Sequence, residues 1–141
     1  MSDRYFLDTN VLVYSFDETD VSKRDRARAL IAGALEGGGT ISFQVVQEFL
    51  NVALRKFVRP MTLNQAQDYL DAVLVPLCRV HSDPDLYRDA LATHLRWRFS
   101  FYDSLVVAAA LRSGCHTLYT EDLQHGQDLG GLVIVDPFRS V

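Results

Sequence analysis

Short apolar runs, each only a few residues long and separated by helical patterns, constrain this chain more than any other feature. Tyr5-Phe6-Leu7, Thr40-Ile41-Ser42, Leu77 to His81, His116 to Tyr119 and Leu132 to Val135 each read as a strand. Between them, apolar residues recur at helical spacing. Ala27, Leu30, Ile31 and Ala34 share one face of a helix over 22–35. Leu63, Ala66, Leu70, Val73, Leu74 and Leu77 form a stripe in a helix that Thr62 opens as N-cap. Further helices are predicted from about Asn10 and over 43–57, 83–95 and 103–113. Gly37-Gly38-Gly39 is a turn between helix and strand, and no Lys-Ser/Thr pair follows it to make a phosphate loop. Short apolar strands alternating with helices indicate a parallel sheet covered by helices. The fold class is therefore α/β, a sandwich with a central, mainly parallel sheet. At 141 residues the chain suffices for one domain, 1–141, and is short for two.

Four acids stand near the changes of element: Asp8, Glu48, Asp103 and Asp122. A carboxylate so close to a core is costly unless it is paired. Several that converge repel one another and raise each other's pKa unless a divalent cation neutralises them, and oxygen-only clusters suit Mg²⁺ or Mn²⁺ better than zinc. Each acid also has a plainer role. Asp8, between Leu7 and a helix, is a good N-cap, with Thr9 and Asn10 beside it as cap residues or as support for a carboxylate or bound water. Glu48 lies within a helix, about 40° from Val52 on the margin of the apolar face. That position fits either a surface glutamate or a site residue, with Asn51 one turn on as its support. Asp103 precedes the nearly all-apolar Ser104 to Leu111, so it caps a buried helix or faces a ligand at that helix's start. Asp122 follows the Leu118-Tyr119-Thr120 strand, in a polar turn that starts a helix or in a site, and adjacent Glu121 competes for any ligand role. Asp8 and Asp122 fall at carboxyl ends of strands, where parallel sheets bind ligands.

Composition narrows the setting. No apolar run approaches the roughly 20 residues that span a bilayer, and Met1-Ser2-Asp3-Arg4 does not begin a signal peptide, so the expected compartment is the cytoplasm. Cys78 and Cys115 lie far apart without ligand spacing and read as small buried residues. The net charge of −4 argues mildly against non-specific nucleic-acid binding, yet basic residues cluster at Lys23 to Arg28, at Arg55 to Arg59 and around Trp97.

In order and spacing, Leu7-Asp8-Thr9-Asn10-Val11-Leu12, then Glu48 in a mid-chain helix, then Tyr102-Asp103-Ser104 opening an Ala-rich helix, then Thr120-Glu121-Asp122-Leu123 resemble the PIN-domain family. More narrowly, the chain looks like the VapC-type toxins of toxin–antitoxin pairs. The likeness covers essentially the whole chain. It implies a metal-dependent endoribonuclease in which Asp8, Glu48, Asp103 and Asp122 match the acidic quartet. Asp8, Asp103 and Asp122 are the expected Mg²⁺ (or Mn²⁺) ligands, and Glu48 is either a ligand or the base. Thr9, Asn10, Asn51, Ser104, Thr120 and Glu121 surround them.

The chemistry expected is phosphodiester hydrolysis by activated water, since no side-chain nucleophile has a motif around it, and the resemblance implies 5′-phosphate and 3′-hydroxyl ends. His81, His94, His116 and His125 read as structural or exposed. Trp97, between Arg96 and Arg98, either stacks a base of single-stranded RNA or packs under its loop. The resemblance further implies a small antitoxin partner, received in an apolar groove between helices 22–35 and 43–57. A homodimer is expected through the Leu63 to Leu77 stripe. Rival readings are a DNA-directed metal nuclease, a catalytically silent binding domain and a receiver-like module. The last lacks the paired early acids and the late lysine it requires.

Overall fold

The computed structural model of the chain describes residues 4–139. Its centre is a sheet of five strands: β1 (Tyr5–Leu7), β2 (Gly39–Ser42), β3 (Cys78–Val80), β4 (Thr117–Tyr119) and β5 (Val133–Val135). All four pairings are parallel, in the order β3-β2-β1-β4-β5. Phe6, at the middle, lies opposite Thr40 on one side and Leu118 on the other. Helices α1 (Thr9–Tyr14), α2 (Val21–Gly33), α3 (Phe43–Arg55), α4 (Leu63–Tyr69), α5 (Val75–Leu77), α6 (Pro84–Trp97) and α7 (Phe101–Arg112) complete an α/β/α arrangement. Phe6, Leu7, Ile41, Leu118 and Ile134 are wholly buried, which is why the strands read as unbroken apolar runs.

This strand order decides where a ligand can sit. From β1 the chain runs outward through β2 to β3, then returns to place β4 against the other side of β1. The carboxyl ends of β1 and β4 therefore flank the point where the winding reverses, the crevice in which open α/β sheets bind ligands.

Local chemistry explains the helix boundaries. The Asp20 and Asp83 carboxylates accept from the backbone N–H groups of Lys23 and Leu86. Thr62 and Gln65 form a reciprocal capping box. A π-helical turn over Ala34–Gly38 carries α2 into β2, with Gly37 at φ 107°. Gly39 follows where a Cβ would lie 2.7 Å from the Tyr5 ring, so only glycine fits there.

Four sequence expectations change. α3 ends at Arg55, not Phe57. α7 starts at Phe101, two residues early, because Ser100 takes the N-cap by accepting from the Asp103 N–H. No helix follows Asp122 among the described residues: 121–131 is a string of bends and turns, tied to β5 by Gly126 N–H to Ile134 O at 2.7 Å. The 63–77 stripe is broken into α4, a π-helical turn (Leu70–Leu74) and α5. Ala66, Leu74 and Leu77 of that stripe are buried in the core, with Leu70 and Val73 packed against it, so most of the surface expected to dimerise is already used. Large apolar residues are instead exposed along α6, at Tyr87, Leu91 and Leu95. No described helix is long and apolar enough to cross a membrane.

Candidate active site

Asp8 ends the central strand and begins α1. Its backbone N–H continues the sheet ladder by donating to Tyr119 O at 3.0 Å, so the register of β1 against β4 fixes it. Its carboxyl group is only 6% exposed. One oxygen accepts from the Thr9 N–H at 2.7 Å and the other from the Thr120 hydroxyl at 2.8 Å. Burial pushes its pKa up to about 7; those two hydrogen bonds pull it down, and the charges of Asp122 and Glu48 push it up further. Asp8 does cap α1, as expected, but an ordinary cap exposed to water would not carry such a shift.

Thr120 organises the β4 side. Fully buried, it donates to Asp8 and receives the Asn10 side-chain amide at 3.2 Å and the Asp122 N–H at 3.1 Å. The same Asn10 amide donates to Asp122 Oδ2 at 3.2 Å. Glu121 turns elsewhere: Tyr14 donates its hydroxyl to it at 2.7 Å, and Lys23 stands 3.7 Å away. That bond raises the Tyr14 phenol's pKa. The two neighbouring acids thus have different partners: Tyr14 and Lys23 engage Glu121, and Asn10 engages Asp122.

On the other side, α3 brings in Glu48. Thr9 donates its hydroxyl to Glu48 Oε1 at 2.6 Å, and Gln44 reaches Oε2 at 3.4 Å. Among the described residues these two support Glu48, whereas Asn51, expected in that role, is exposed. Gln44 was not foreseen. It is buried, and its amide also donates to Tyr102 O at 3.2 Å, so it bridges Glu48 to the turn of α7 that carries Asp103. The signal was present: an amide four residues before an acid on a helix lies on the same face. Ser100 has taken the capping role from Asp103, and no hydrogen bond from the described residues reaches the Asp103 carboxylate. Ser104 does not join the cleft; its hydroxyl is buried in α7 without a partner. Neither does Trp97, which lines a separate depression with Arg96 stacked 4.8 Å from its ring.

Asp8, Glu48, Asp103 and Asp122 line one cleft of about 520 Å³, together with Thr9, Asn10, Gln44, Asn51 and Glu121. Its donors are all oxygen in kind, which fits a hard divalent cation. Among the described residues no three of His, Cys, Asp or Glu stand close enough to hold an ion by themselves. A cation here would therefore draw on water for much of its shell, as Mg²⁺ ordinarily does. Two acceptors at this site, Asn10 Oδ1 and Gln44 Oε1, are buried without a hydrogen-bond partner.

A sheet with this winding and acids from four separate elements on one cleft define the class, and comparison with known families agrees. The model of the PIN domain matches residues 5–127, and the chain belongs to that family. Among curated proteins none matches. Among solved structures, a toxin–antitoxin complex from Klebsiella pneumoniae is similar at 22% identity and TM-score 0.65, covering 92% of this chain and 95% of that one. Mycobacterium tuberculosis VapC20, described as a Sarcin-Ricin loop cleaving toxin, is similar at 21% identity and TM-score 0.61, over 84% and 89%. FitAcB from Neisseria gonorrhoeae aligns at 17% identity and TM-score 0.63, over 96% and 99%.

Proposed function

We propose that this protein is a metal-dependent endoribonuclease, the toxin of a toxin–antitoxin pair. The observation that carries the reading is the convergence of Asp8, Glu48, Asp103 and Asp122 on one cleft at the reversal point of the sheet. Solved structures of similar fold include toxin–antitoxin complexes, which supports the same reading. Asp8, Asp103 and Asp122 would hold Mg²⁺ or Mn²⁺ partly through water, since the three do not stand close enough to do so alone. When bound, that ion would neutralise phosphate charge and make a water more acidic.

The chain's own residues do the rest. Glu48, fixed by Thr9 and Gln44, takes the proton of the attacking water. The water oxygen bonds to phosphorus, the P–O3′ bond breaks and the departing 3′ oxygen takes a proton from solvent, giving 5′-phosphate and 3′-hydroxyl ends. Asn10 and Thr120 hold Asp122 and Asp8 in place. Cleavage of a single-stranded RNA should require added Mg²⁺ or Mn²⁺ and vanish in Asp8→Asn and Asp103→Asn that remain folded. Activity that survives chelation or either change sinks the reading. A matched DNA strand cleaved equally well would favour the DNA-directed alternative.

An antitoxin would dock beside the cleft. An apolar groove of about 480 Å³ runs between the segment after α1 and the end of α3, lined by Val13, Phe16, Phe57 and Val58. It lies beside α1 and the end of α3, whereas the sequence reading places the partner between helices 22–35 and 43–57. It meets the acid cleft at Val13, Tyr14 and Lys56, so an amphipathic helix seated there can extend a basic side chain to the carboxylates. Coexpression with the small protein encoded beside this chain tests the pairing: Val58→Asp should abolish its copurification, and an unchanged complex would exclude this groove.

A further inference from the structure

We infer that the cleft is one end of a track for single-stranded RNA, with Tyr102 as the base-stacking platform and Lys56 as the phosphate contact. This rests on the nuclease reading and names residues that bind substrate away from the acids. Along α3 the cleft-lining residues are Gln44, Glu48, Asn51, Val52 and Lys56. Their spacing of four, three, one and four residues is one continuous helical face. At about 1.5 Å per residue it runs about 18 Å, from the buried Gln44 to the exposed Lys56. A stacked strand advances about 3.4 Å per phosphate, so Lys56, about 12 Å along the axis from Glu48, would meet the backbone three or four phosphates from the acids. It is the only cation lining the cleft among the described residues.

The opposite wall is α7, whose lining residues are Tyr102, Asp103 and Val106. Tyr102 and Val106, four apart, share a face, which turns the tyrosine toward the cleft. The Tyr102 side is anchored, since its carbonyl accepts from Gln44. Yet the residue is 67% exposed, an unusual place for a large ring in a chain that buries most of its aromatics at least partly. An uncovered aromatic on an anchored backbone, one residue from a catalytic acid, suits an unstacked base, which a duplex does not present.

Binding separates this proposal from the nuclease reading. In a Glu48→Gln background with Mg²⁺, affinity for a short single-stranded RNA should fall about tenfold in Tyr102→Ala and little in Tyr102→Phe. An abasic nucleotide scanned along the RNA should find one position where the Tyr102→Ala loss disappears. Lys56→Gln should reduce the slope of log affinity against log salt by about 0.7, the share of one phosphate contact on a single strand. A duplex of the same sequence should show neither effect. Parent protein that cleaves RNA while both variants bind it like their background overturns the track and leaves the nuclease standing. Equal losses at every abasic position overturn the stacking assignment.

Discussion

Replacing Asp8 with asparagine should make the metal-free protein more stable in mild base and less stable in acid. The Asp8 carboxyl group has a pKa near 3.8 when exposed and about 7 in the fold. In the unfolded chain it gives up its proton first, so folding favours the protonated form. Its contribution is fully present below about pH 4 and is lost as pH rises to about 7. At 1.36 kcal/mol per pKa unit, the loss is about 4 kcal/mol. Asparagine carries no charge and escapes it. The variant meets a different cost, because both Asp8 oxygens accept from donors, the Thr9 N–H and the Thr120 hydroxyl. An amide nitrogen can face neither well, and one unmet donor costs about 1–3 kcal/mol. The variant should therefore be the weaker protein by about that amount at pH 4 and the stronger by about 1–3 kcal/mol at pH 8. Urea unfolding in chelator, followed at half-unit pH steps, measures the difference, in which other titrating groups cancel. Parallel curves from pH 4 to 8 would refute the argument. Added Mg²⁺ at pH 8 should then stabilise the parent and do little for the variant.

Two further outcomes follow from side chains already placed. Gln44→Met keeps the volume but removes both bridges to Glu48 and Tyr102, so kcat on RNA should fall at least tenfold with KM nearly unchanged; a change confined to KM would make Gln44 a substrate contact. If two copies associate through the exposed face of α6, Leu91→Glu should halve the mass seen in sedimentation or light scattering, and a dimer that survives the charge would place its interface elsewhere.

The strands were legible because their middle residues, such as Phe6 in Tyr5-Phe6-Leu7 and Ile134 in Val133-Ile134-Val135, are wholly buried. The four acids were legible as a set because they interrupt or border those apolar stretches. What sequence spacing did not convey was which polar group serves which other. Ser100 stands three residues before Asp103, and a serine there competes for the same cap; only the backbone geometry shows that the serine has it. Glu121 and Asp122 are neighbours of the same charge, told apart by Tyr14 and Lys23 from over a hundred residues and nearly as far up the chain. Trp97, flanked by arginines, reads in sequence either as an RNA-stacking ring or as a ring packed under its loop; it lines a different depression, while Tyr102 stands at the cleft.

The central place of β1 also sets a clock on the ribosome. Asp8 is made 112 residues before its Thr120 partner. At about 5–20 residues per second, roughly 6–20 s separate the two in synthesis. Until β4 emerges and slots against β1, the edge of the central strand has no neighbour on that side, Asp8 has neither the Tyr119 carbonyl nor the Thr120 hydroxyl, and Asp122 does not yet exist. The cleft is thus completed only once β4 has been made, and a chain that stops short of β4 lacks the Thr120 and Asp122 side of it.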